Sequence, residues 1–146
     1  MSAPPAGLFD RALAEAGIER AETYITNAVK HFKFELRGKK RLHKRPDRGE
    51  IEACRWWLRA EIAIIRPKLI VALGATAACA LAGRAVTISK VRDGTLELMG
   101  HQGLVTVHPS YLLRMPDEAA RKHAYRRFVA DLKRADQYAH KASAAA

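Results

Sequence analysis

His43 lies in the run Lys39-Lys40-Arg41-Leu42-His43-Lys44-Arg45-Pro46, an imidazole set among lysines and arginines. Imidazole can act as base, acid or nucleophile near neutral pH. Cations attract phosphates, so a histidine in such a loop can meet a nucleic-acid backbone or a sugar carbon. The plainer alternative is a solvated basic loop with a bystander histidine. A second histidine opens His108-Pro109-Ser110-Tyr111-Leu112-Leu113-Arg114. His108 can donate a hydrogen bond to an anion forming on a leaving group, and Pro109 fixes the turn. Leu112, Leu113 and Arg114 are expected to project as an apolar wedge beside a cation, suited to insertion into a duplex or stacking on a base. The alternative is a helix-entry turn whose leucines belong to the core.

Other residues carry weaker signals. The Asn27 amide places a donor beside an acceptor, which can read one edge of a nucleobase, although asparagine is also an ordinary turn former. Cys54 and His31 could ligate a metal or cluster, but two ligands do not make a site. Buried packing is the alternative for Cys54 and the expectation for Cys79. Trp56 and Trp57 read as core and surface shelf rather than a base-stacking pair. Gly74 to Ala78 reads as close helix–strand packing rather than an anion site.

The elements that must position these groups follow from periodicity. Leu8 to Ala16 reads as a helix stopped by Gly17. Thr23 to Thr26 reads as a short strand ending at Asn27. A basic connection from about Lys30 to Arg48 follows, with nine lysines and arginines against Glu35 and Asp47. A structureless connection of that length is usually functional. Gly49 to Arg66 reads as a helix with Ile51, Cys54, Trp57, Leu58, Ile62 and Ile65 on its apolar positions. Leu69 to Leu73 reads as a strand buried on both faces, and Ala75 to Leu81 as a helix after Gly74. Thr95 to Met99 and Leu104 to Val107 read as strands around Gly100-His101-Gln102-Gly103. Pro116 opens a last helix to about Tyr138, so the domain spans residues 1–138 with a frayed tail over 139–146. The order is that of an α/β protein with a mainly parallel sheet, in which ligands bind beyond the carboxyl ends of strands.

Composition narrows the partners. The chain has 146 residues, 49% of them hydrophobic, enough for one domain with a real core. A formal net charge of +11 favours a polyanionic partner, most often nucleic acid. No apolar run is long enough to span a membrane, and the first seven residues lack the apolar core of a signal peptide. Two cysteines give no disulfide framework, so a reducing cytoplasm is expected.

Five segments in order resemble the uracil-DNA glycosylase superfamily, in its family 4-like branch with an iron–sulfur cluster, most nearly the UdgX type. They are Tyr24 to Phe34, Lys40 to Lys44, Ala53-Cys54-Arg55, Leu73 to Ala77, and Val107 to Arg114. The resemblance runs from about Ala6 to Arg134. It implies a three-layer α/β sandwich around a mainly parallel sheet, and a monomer acting in base excision repair on uracil-containing DNA, single-stranded by expectation. It implies that Asn27 hydrogen-bonds uracil and that His43 attacks the deoxyribose anomeric carbon, leaving protein on the sugar. His108 would stabilise the departing uracil anion. Lys39, Lys40, Arg41, Lys44, Ser110, Leu112, Leu113 and Arg114 would hold the DNA. Cys54 matches a ligand of a 4Fe-4S cluster, and His31 stands where another cysteine is usual. Family members begin with a further segment carrying two cysteines, the first strand and a Gly-Glu-x-Pro-Gly-type loop. This chain opens at Pro5-Ala6-Gly7-Leu8, where that segment would end. The expectation is therefore a truncated member with its first strand missing and at most half of the cluster's ligands. The rival expectations are a catalytically inactive nucleic-acid-binding remnant, and a small α/β protein whose basic surface binds RNA or acidic partners.

Overall fold

The computed structural model describes the backbone of residues 4–26, 33–37, 40–44 and 48–145, and side chains over 7–26 and 55–141. Helix α1, Pro4–Glu15, is amphipathic as its spacing predicts. Ala12, Leu13 and Ala16 are buried, and Gly17 follows at φ +81°, a conformation glycine adopts without a Cβ penalty. A 3-10 turn, Arg20–Glu22, follows. Thr23 to Thr26 is not a strand: it runs extended with no ladder partner among the described residues. β-propensity alone does not make a strand without an adjacent strand to pair with.

The basic connection is not structureless. Strands β1, Lys33–Arg37, and β2, Lys40–Lys44, pair antiparallel, with Phe34 opposite His43 and Arg37 opposite Lys40. Two residues, Gly38 and Lys39, separate them, and a two-residue link containing glycine is a hairpin signal that the density of charge conceals. Helix α2, Arg48–Ile65, comes next, and then β3, Ile70–Leu73, and α3, Ala75–Ala82. A short helix α4, Ile88–Val91, precedes β4, Leu96–Leu98, and β5, His101–Thr106. Helix α5, Pro109–Leu113, and the long α6, Glu118–Ala145, complete the chain. The last helix thus continues past Tyr138. Among the described residues no helix is long and apolar enough to cross a membrane.

The second sheet has the order β3-β5-β4 and is mixed rather than mainly parallel. β3 runs parallel to β5, with Leu73 opposite Thr106, and β4 is antiparallel to β5. The turn between β4 and β5 is tighter than the sequence suggests. Met99 and Gly100 alone form it, both at positive φ (50° and 81°), as a two-residue hairpin of this twist requires. His101, Gln102 and Gly103 belong to β5 instead. Gly103 is there for space, because a Cβ at that position would lie 2.4 Å from the Leu98 side chain.

Two apolar clusters flank this sheet. Leu58, Ala72, Ala78, Ala80, Leu81, Val86, Leu98 and Val105 form one, with Ile62, Ile70 and Cys79 packed against it. Cys79 is thus a packing residue, as expected. Ala12, Leu13, Ala16, Val107, Leu112, Phe128, Val129 and Leu132 form the other, joined by Leu73. Alternation along β3 sends Ala72 to the first cluster and Leu73 to the second. On α2 it is Leu58 and Ile62 that face inward. Trp57 is 50% exposed and Trp56 64%, in an edge-to-face pair 4.3 Å apart. The inward stripe of α2 is set by its contact with α3, so Trp57 is not a core residue.

The clusters are pinned by one buried ionic group. Asp131 of α6, 2% exposed, accepts hydrogen bonds from Thr106 Oγ1 at 2.6 Å and Arg92 Nε at 2.7 Å. Arg134 reaches the same carboxylate at 3.3 Å and also donates to the Arg92 carbonyl. A buried carboxylate is tolerated only with such pairing. It ties α6 to β5 and to the turn after α4.

Candidate functional site

The carboxyl ends of β3 and β5 lie side by side, because the two strands are parallel and their last pair is Leu73 with Thr106. Gly74 leaves β3 there, and Val107 and His108 leave β5. Gly74 donates its N–H to the Thr106 carbonyl at 2.8 Å and caps α3 at φ 96°, ψ 164°. That backbone region is essentially restricted to glycine. A Cβ at Gly74 would also stand 3.2 Å from the Cβ of His108. The glycine thus lets the two strand ends approach and sets where His108 stands.

His108 is the N-cap of α5. Its Nδ1 accepts the Ser110 backbone N–H at 3.1 Å and lies 2.8 Å from the Ser110 hydroxyl. A backbone N–H can only donate, so Nδ1 must be the unprotonated nitrogen. The neutral ring therefore carries its proton on Nε2. Desolvation, and next the positive charge of Arg114, hold the imidazole below its ordinary pKa. Near neutral pH the group is a neutral Nε2–H donor, the form that can stabilise an oxyanion without first being an acid.

The predicted wedge is only partly a wedge. Residues 109–113 form the helix α5, and Leu112, 2% exposed, sits in the second apolar cluster with Phe128 and Leu132. Leu112 does not project, because the helical turn directs it onto α1 and α6. Leu113 and Arg114 are exposed, so the projecting residues are these two. Ser110 is half-buried, with its side chain on His108.

His43, Lys40, Arg41 and Lys44 are placed by their backbone in β2, with their side chains outside the described residues. Asn27, His31 and Lys39 lie wholly outside them. Cys54 is in α2, its side chain likewise outside. The structure therefore brings together His108, Ser110, Arg114 and Gly74. Among the described residues no three His, Cys, Asp or Glu side chains gather as a metal site. The proposed ligands Cys54 and His31 have their side chains outside the described residues. The close packing expected at Gly74 is present, and it is set against His108 in particular.

The family model described as the uracil DNA glycosylase superfamily matches residues 2–133. The chain belongs to the uracil-DNA glycosylase superfamily. It is 40% identical over 109 residues to a type-4 uracil-DNA glycosylase of Thermotoga maritima, covering 73% of this chain and 53% of that protein. It is 32% identical over 117 residues to a type-4 uracil-DNA glycosylase of Pyrobaculum aerophilum, covering 75% and 56%. The chain thus spans about half the length of the curated relatives it matches.

Proposed function

We propose that this chain acts in DNA repair as a uracil-DNA glycosylase of the UdgX type, recognising uracil in DNA and breaking its N-glycosidic bond with capture of the sugar. The observation that carries the reading is His108 held as a neutral Nε2–H donor at the end of β5, in a chain of this family. When the bond from the anomeric carbon to uracil N1 breaks, its electron pair leaves with uracil, which departs as an anion. The His108 donor would stabilise that charge. A neutral His43 nitrogen would supply the lone pair that forms the new bond to the anomeric carbon. The resulting alkylated imidazolium loses its N–H proton to solvent. Asn27 would read the uracil edge. Lys39, Lys40, Arg41, Lys44, Ser110, Leu113 and Arg114 would hold the strand while the base is extruded. Leu112 would act only by packing beneath them.

The finer expectations belong to the same reading. The three-layer arrangement, a single-stranded substrate, a monomeric state and a cytoplasmic setting are what the resemblance supports. Cys54 and His31 are kept as cluster ligands on the resemblance alone. Incubation of the protein with uracil-containing single-stranded DNA is the test. A protein–DNA band that survives a denaturing gel is expected, and His43→Ser should remove it. Free uracil without any band would make the reaction hydrolytic. A band undiminished in His43→Ser would place the nucleophile elsewhere, and no band with no free uracil would leave the binding remnant.

A further inference from the structure

We propose that the outer face of α6 is a second nucleic-acid surface, one that grips duplex DNA by its phosphates without regard to base. The described side chains of this helix, from Glu118 to Lys141, are segregated by charge. Of its acids, Glu118 stands at the start, and Asp131 is sunk in the core between Arg92 and Arg134. Asp136, the third, faces His140 at 3.5 Å. The open stretch between Glu118 and Asp136 holds Lys122, His123, Arg126, Ala130 and Lys133, all exposed. At about 100° per residue, Lys122, Arg126 and Lys133 fall within about 40° of one another. They extend over about 16 Å of the helix axis, enough to face several phosphates of one strand, which recur every 3.4 Å or so along a duplex.

This is not the usual self-neutralised helix surface. The positions one turn before and after Arg126 carry Lys122 and Ala130, and no acid lies within a turn of it. Like charges at i and i+4 repel and weaken the helix, so Arg126 works against Lys122, whose own counter-charge is the carboxylate of Glu118. The pair of Lys122 with Glu118, at 3.6 Å, is exposed on both sides and readily exchanged for phosphate. Arg127, by contrast, is turned to the flank and paired with Asp93 at 3.3 Å. A polyanion fits the charge of the central stripe, and a regular row of phosphates fits its length.

The test uses a duplex without uracil, so that it does not depend on the glycosylase reading. Affinity is followed by fluorescence anisotropy across a salt series. The triple variant K122Q/R126Q/K133Q should shallow the slope of log K against log salt by about two to three, and Arg126→Gln alone by about 0.9. Circular dichroism should show both folded; if the triple variant unfolds, the single variant decides. An unchanged slope in folded Arg126→Gln overturns the proposal. So does an equal loss of binding to phosphatidylserine-containing vesicles, which would assign the stripe to membranes.

Discussion

His108 illustrates how one hydrogen bond sets a protonation state. Its Nδ1 is committed to the Ser110 N–H, so protonating that nitrogen breaks a bond as well as placing charge beside Arg114. The folded pKa is lowered from 6.5. The stability this contributes is therefore complete above 6.5 and is lost as pH falls through the lowered value. Histidine NMR should give a His108 midpoint below 6.5 and a neutral ring protonated on Nε2. Denaturant titrations should show His108→Gln losing less stability than the parent between pH 7 and pH 5. A midpoint above 6.5 would contradict the assignment. In the proposed reaction, His108→Ala should slow uracil loss by on the order of a hundred-fold, as loss of one oxyanion donor does, without changing the product.

At the scale of elements, the crossing of strand ends at Gly74 is the most constrained point. Gly74→Ala adds both an unfavourable backbone conformation and a Cβ against His108. We expect a loss of about 1–3 kcal/mol in urea unfolding and a displaced His108, seen as a changed imidazole titration. An unaltered titration would show that the glycine serves packing alone. The element map also explains what could be read from the sequence. Ile70 to Leu73 was legible as a strand because an uninterrupted apolar run precedes a glycine, but only Ala72 is buried, so the expected burial on both faces is not met among the described residues, where β3 stands at the end of the sheet order. The β4–β5 turn was misplaced because Gly100 and Gly103 look alike in a sequence. One supplies positive φ and the other makes room for Leu98, a difference that exists only once the strands pair. The β1–β2 hairpin was hidden because its alternation at Phe34 and Leu36 is diluted by lysines and arginines. The placement of His108 was legible, because strand, proline and helix follow directly there. Leu112 was misread because one turn of helix decides which of two adjacent leucines faces the core.

For the molecule as a whole, Asp131 is the group on which the two sides of the sheet depend. Asp131→Ala would strand Arg92 and Arg134 beside a buried Thr106 hydroxyl. Breaking a buried ionic pair from one side typically costs about 3–5 kcal/mol, and we expect that loss in the unfolding free energy. A loss below about 1 kcal/mol would mean the network is solvated like a surface pair. The Met99–Gly100 turn has a different kind of consequence, one of time. β4 and β5 close across two residues, whereas Ile70 finds Gly103 only after the intervening chain has been gathered in. Short closures cost less entropy and form within microseconds. The β4–β5 hairpin is therefore the natural first structure, and β3 docks on it later, bringing Gly74 up to His108. A slower turn would delay the appearance of the site itself, so Gly100→Val should lower the refolding rate. Asp131→Ala, which removes a contact completed only when α6 lands, should mainly hasten unfolding.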